Sequence, residues 1–316
     1  MTMNEYIEDF KNEDFGSAFE VFRQGTKKAI EENMAQLMEN ARHTFSGFFA
    51  ETARAMENSS TSVGKITVSL IRTTAWEERQ CARIEAYDKD EITGKLLNDM
   101  DMDITPLFSC WDSLRGSLVR LAEEKGVRRH VRDSVIRHMM ESRLGEMTSY
   151  LYGLLKYFLL DADEIENFSL LRVQPGFAIS VGEYQDWQKP VYIEVYPMDL
   201  ADPPADHPMV FGHFEGQGYR NLNITGCSLE KSKFVKCSFA HCTFEDVNLN
   251  DVRFVECIFR DVHMKSGTMY GAMALDCETA GLDCKGMKMK WIPFDGTDRE
   301  YDIYQDAIGI GNGGQT

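Results

Sequence analysis

An α+β N-terminal domain of long helices plus a small sheet, followed by a short quadrilateral β-helix, is the architecture this 316-residue sequence predicts. Three observations carry that prediction. Apolar residues recur in steps of three, four and seven over residues 17–58, and two further helical stretches follow residue 107, as expected for helices with one buried face. Short β-branched runs bounded by polar stops read as strands between and after the helices. From Ile224 to Ala274 the chain repeats every five residues, a period that belongs to neither a helix nor a continuous strand.

The first element is an acidic arm, residues 1–16. Met1 to Phe10 has three acids and no base, the reverse of a secretory leader, which starts basic and then turns apolar. No apolar run reaches the length of a membrane span, so the sequence predicts a cytoplasmic protein with no membrane contact. Residues 17–200 form the α+β domain. Its first helical stretch, Ser17 to Asn58, carries a Phe-rich stripe read as a helix-on-helix seam, with Gly25 and Gly47 as expected breaks. The polar stop Asn58–Ser62 ends it. Lys65 to Thr74 and Gln80 to Tyr87 read as a hairpin, and Asp99 to Asp103 with Pro106 as an acidic loop. Leu107 to Glu124 and Val127 to Leu160 read as two helices parted near Gly126. Phe177 to Val181 and Val191 to Tyr196 are strands whose pairing with the hairpin the sequence leaves open. Five of the eight prolines fall between Pro190 and Pro208, which marks residues 201–218 as a linker into a repeat domain at 219–294. Trp291, Ile292 and Phe294 are expected to cap that domain, and the glycine-rich residues 295–316 to form a flexible tail.

Composition bounds the function. Hydrophobic residues at 43% and charged residues at 27% fit a chain that buries a core. The formal charge of −17 argues against a nucleic-acid coat, which needs a basic surface.

The repeat is built on Ile224, Leu229, Phe234, Phe239, Phe244, Leu249, Phe254, Phe259, Met264 and Met269, with Ala274 at the eleventh step. Two positions before the centres stand Leu222 and then small or β-branched residues: Cys227, Ser232, Cys237, Cys242, Val247, Val252, Cys257 and Val262. The other three positions are mostly polar. Two inward residues in every five require a chain that turns regularly. A square coil satisfies this, its turns stacked at strand-like spacing of about 4.8 Å and each burying its face on its neighbours. After Ala274, the sizes suggest a slip of register, with Leu282, Met287 and Ile292 resuming at an offset.

Segments such as Cys242-Thr243-Phe244-Glu245-Asp246 and Val247-Asn248-Leu249-Asn250-Asp251 resemble the pentapeptide-repeat family over residues 222–274. The resemblance implies a right-handed four-sided β-helix that works as a non-enzymatic protein-interaction scaffold or accessory subunit. Some family members inhibit topoisomerase by mimicking duplex DNA. That alternative fits poorly here: residues 220–290 hold ten bases against nine acids, and eleven pentapeptides at four per coil give fewer than three coils.

The same placement accounts for the cysteines at the inward small position, which act there as small hydrophobes. None of the eight forms a CxxC pair, so no metal site is expected. Asp99, Asp101 and Asp103 fail as a calcium loop, because Ile104 stands where the turn glycine belongs. No cofactor is expected, and no nucleophile motif such as Gly-x-Ser-x-Gly or His-Glu-x-x-His is found. One basic segment stands out, Lys125 to Arg143. Its Arg128, Arg129, Arg132 and Arg137 could bind an acidic partner or a phosphate backbone, or pair with the chain's own acids, which is the preferred reading. Within it Arg132 to His138 resembles the Arg-polar-x4-His signature of HEPN ribonucleases. That likeness implies RNA cleavage through Arg132 and His138 as an alternative function. The sequence therefore predicts a protein partner, is compatible with a homo-oligomer, and admits nucleic acid only through the basic segment.

Overall fold

The computed structural model describes residues 3–184, 186–194, 198–202, 209–291 and 299–300. The chain divides between Tyr192 and Ile193 into two compact units.

The first unit begins in helix rather than in an arm. Helix α1 (Met3–Asp9) passes through one π turn (Phe10–Asp14) into α2 (Phe15–Glu32). The apolar spacing explains the π turn. Phe10 precedes Phe15 by five residues, whereas Phe15, Phe19 and Phe22 follow in steps of four and three. A wide turn, closed by the Phe15 amide on the Phe10 carbonyl, absorbs the extra residue and brings Phe10 onto the buried face. Phe10 is fully buried as a result. The expected single helix is two, α2 and α3 (Met34–Ala55), and the break falls at Asn33 instead of at a glycine. Asn33 leaves helical geometry at φ −108° and ψ 11°, and its side-chain amide donates to the Ala29 carbonyl at 2.8 Å, a local bond that competes with helix continuation. Gly25 is instead a packing residue: a Cβ there would stand 3.0 Å from Cys110 Sγ.

Five strands form one sheet in the order β3-β2-β1-β4-β5, comprising β1 (Val63–Leu70), β2 (Cys81–Tyr87), β3 (Leu96–Asp103), β4 (Val173–Glu183) and β5 (Gln188–Ile193). The hairpin β1–β2 is present, with Val68 opposite Ile84. Strand β4 joins it in parallel, Val68 opposite Val181. The expected acidic loop is strand β3. Alternation decides this: Met102 turns toward the core and is buried, while Asp99 and Asp101 lie on the face of Arg83, which bonds Asp101 at 2.9 Å. Helix α3 and the later helix Leu144–Phe158 pack on the sheet.

Between β3 and β4 run α4 (Trp111–Glu124), α5 (Asp133–Glu141) and α6 (Leu144–Phe158). The stretch expected as one helix from Val127 is therefore broken twice, before Asp133 and at Ser142–Arg143. Glu183, 3% exposed at the end of β4, is held by Arg72 and by the Thr148 hydroxyl at 3.2 Å.

The second unit is a β-solenoid, stacked four strands deep on two of its faces. It starts earlier than the sequence suggests. The strand His213–Glu215 is already part of a stack, and Met198, Leu200 and Phe214 belong to the solenoid core, so part of the expected linker is coil. The far end also differs, because the register does not slip after Ala274. Leu282 pairs with Val262 and Asp283 with His263, twenty residues apart like every earlier pair. What changes is residue size. Leu282 and Met287 fill the small inward positions, and Cys284 occupies a centre, 3.7 Å from the Met264 sulfur above it. Ile292 and Phe294 of the expected cap, and the tail other than Arg299–Glu300, lie outside the described residues; Trp291 pairs with Arg299.

Candidate functional site

The coil interior is filled. Phe214, Phe234 and Phe254 stack at 4.5 and 5.1 Å, and Tyr219, Phe239 and Phe259 at 5.2 and 5.3 Å, with near-parallel rings. Ile224, Leu229, Phe244, Leu249, Met264 and Met269 are buried in the same core. Each buried large side chain contributes about 1.5–3 kcal/mol relative to exposure. Of the inward small positions, Ser232, Cys237, Cys242, Val247, Val252, Cys257 and Val262 are buried and Cys227 is half-buried.

The structure gives those cysteines a role beyond filling space. Four cysteines donate to the carbonyl of the centre 23 residues earlier: Cys237 to Phe214, Cys257 to Phe234 and Cys277 to Phe254, all at 3.3 Å, and Cys242 to Tyr219 at 3.6 Å. Ser232 makes the same bond to Met209 at 2.7 Å. The sulfur also accepts. The Cys257 amide donates to Cys277 Sγ at 3.2 Å, as the Gly212 amide does to Ser232 Oγ at 3.1 Å. Stacking every twentieth residue thus produces a spine of thiols that satisfies buried backbone groups. The recurrence of Cys at 237, 257 and 277 was the signal in the sequence, but the bond itself is visible only once the coils are stacked. Burial pushes the Cys227 thiol up and the Cys284 thiol up to about 12. Among the described residues no group of three or more His, Cys, Asp or Glu is placed to hold a metal ion.

The solenoid core is packed with side chains, so the groups that it presents to solvent are those on its outside. Most corners, two residues after a centre, take left-handed backbone, as at Asn221, Lys236, His241, Asp246, Glu256 and Asp261 with φ between 52° and 55°. This turns the chain and leaves flat faces between corners. Most outward columns are polar. Asn248 lies 3.3 Å from Glu230 and accepts from Thr268 at 3.3 Å. Asp261 bonds His241 at 2.7 Å and His263 at 3.1 Å, and those bonds hold its carboxyl below the usual carboxylate range. One face departs from this. Val235, Val255 and Leu275 stand in register as an outward, half-buried apolar column, and Lys233 and Arg253 stand in register beside them. Burial pushes the Arg253 guanidinium down.

The basic segment is largely answered by the chain itself. Lys125 meets Asp14 at 2.6 Å, Arg128 meets Asp133 at 2.6 Å, and Arg137 meets Glu141 at 2.9 Å while lying 4.8 Å over the Trp76 ring. Arg129 and Arg132 are exposed, and Arg132 Nε donates to the Arg129 carbonyl at 3.3 Å. Arg132 precedes α5 in extended backbone, whereas His138 sits in the last turn of that helix. No hydrogen bond joins the two among the described residues.

Residues 222–294 match the family model of the pentapeptide repeat region, and no family model matches the N-terminal unit. No curated protein matches the chain. Two solved structures of trypsin-treated QnrB1, described as a plasmid-mediated fluoroquinolone resistance protein, are similar to it at 21% and 20% identity, with TM-scores of 0.24 and 0.25. The likeness covers 25% and 26% of this chain and 41% of each of theirs, so the chain spans less than half the length of those proteins. Among the described residues no helix is long and apolar enough to cross a membrane.

Proposed function

We propose that this pentapeptide-repeat solenoid is a non-enzymatic scaffold that seats a protein partner on its Val235–Val255–Leu275 face. One observation carries the reading: an in-register apolar column beside the cations Lys233 and Arg253, on an exterior whose other columns are mainly polar. The packed aromatic interior supports it, since the coil holds a small-molecule site only on its outside. The surface is also rigid. Backbone hydrogen bonds link successive coils, so a partner docking there orders few groups and loses little entropy on binding. The partner that fits presents apolar side chains flanked by carboxylates.

Capture by the full-length chain, compared with the Val255→Asp and Arg253→Glu variants, tests this. A partner seated on the face is retained by wild type and lost from Val255→Asp, while Arg253→Glu binds more weakly and loses the salt dependence. Retention of the same partner at equal affinity by both variants, each shown folded by circular dichroism, would overturn the reading.

A further inference from the structure

A groove of about 660 Å³ opens on the N-terminal unit, within the usual size of a ligand site. Its polar lining has one sign. Lys11 comes from the π turn, His138 from the last turn of α5, and Arg143 from the junction of α5 and α6; among the described residues no carboxylate lines the groove. In a chain of formal charge −17, a groove lined by three bases and no acid is out of keeping with its surroundings.

The bases are placed but not used up. The Arg143 guanidinium lies over the Phe19 and Phe15 rings at 5.4 and 5.7 Å, which fixes its plane. Its carboxylate neighbour Glu146 is 3.8 Å away and binds Arg23 more closely, at 3.1 Å through its other oxygen. Lys11 pairs with Glu8 at 3.0 Å on an exposed helix surface, a contact worth little and readily exchanged. One hydroxyl adds hydrogen-bonding capacity, that of Ser134. Ser134 is exposed in the first turn of α5, while the Ser142 hydroxyl beyond the other end of that helix donates to the Met139 carbonyl at 2.6 Å. The apolar part of the lining is Val135, half-buried, beside buried Met139, with Phe15 beneath the Arg143 guanidinium.

We propose that this groove binds a phosphate monoester carried on a small flat apolar body, of which a nucleoside monophosphate is the representative. The phosphate takes Arg143, Lys11 and His138, with Arg143 supplying the planar fork suited to it. The body lies against Val135 and Met139. The site draws only on groups of the N-terminal unit and does not depend on the proposed role of the solenoid.

Calorimetric titration of the full-length protein with adenosine monophosphate, adenosine and inorganic phosphate at low salt tests the proposal. Saturable one-to-one binding of the monophosphate is expected, at least about tenfold tighter than either fragment, roughly 1.4 kcal/mol. Arg143 also covers Phe15, so Arg143→Ala can disturb packing. Ser134→Glu, which puts a carboxylate in the groove from an exposed position, avoids that and should weaken binding by at least about tenfold. The solenoid variant Lys285→Ala should bind as wild type does. No saturation up to about 10 mM, equal affinity for monophosphate and adenosine, or undiminished binding by Ser134→Glu would each overturn it.

Discussion

The two units of this chain are specified on different length scales. In the solenoid, each residue's environment is set by neighbours five residues away along the coil and twenty residues away in the stack, as in Phe234 against Phe254. In the N-terminal unit, the central pairing joins Ile66 to Ile179 across more than a hundred residues. The first arrangement is quasi-one-dimensional and can grow coil by coil. The second requires a long loop to close before its contacts form. The units should therefore respond differently to equivalent changes.

The largest expected effect comes from truncating a core aromatic in each. Phe239 and Phe49 are both fully buried. Phe239→Ala should remove about 3–5 kcal/mol from the solenoid, seen as early loss of the β-sheet signal in thermal circular dichroism while the helical signal holds. Phe49→Ala should do the reverse. A single coincident transition in both variants would show that the units unfold as one.

The thiol spine gives the next test. Cys257→Val keeps a small apolar side chain but removes the thiol's hydrogen bond to the Phe234 carbonyl, and should cost about 0.5–1.5 kcal/mol. Cys257→Ser keeps a donor and should be milder. If the thiol served only as a small hydrophobe, denaturant midpoints would rank the two variants in the opposite order.

A lysine-to-glycine exchange should change sign between the units. Lys236 sits in left-handed backbone at φ 53°, which glycine adopts without strain, so Lys236→Gly should stabilise by about 0.5–1 kcal/mol. Lys28 lies inside helix α2 and is exposed, so Lys28→Gly should destabilise by about 1 kcal/mol. Equal signs in urea unfolding would refute the corner assignment.

The smallest effect concerns acid. The bonds from His241 and His263 depress the Asp261 carboxyl in the folded state. A depressed carboxyl stabilises above its unfolded value of about 4, and that contribution is lost as pH falls through the folded value. His241→Asn should raise the Asp261 titration midpoint measured by NMR. An unchanged midpoint would exclude the contact in solution.

The helices of the N-terminal unit were legible from apolar spacing, but three of its features were not. Asp99 to Asp103 reads as a loop by composition; only its place beside β2, with Arg83 answering Asp101, makes it a strand. The break at Asn33 rests on one side-chain bond to Ala29, which left the glycines looking like better candidates. The groove of Lys11, His138 and Arg143 joins residues more than a hundred positions apart, so no local pattern announces it.

By itself, then, the sequence determined the coil: its period, its inward residues and the reason for its small positions. Those follow because each pentapeptide repeats the same local geometry and its partners recur at a constant interval. The tertiary structure decided the rest: which strands share a sheet, that the register continues past Ala274 with large and small residues exchanged, and that stacked thiols bond backbone carbonyls. Each of these depends on groups brought together across the fold, where neither period nor composition records the partner.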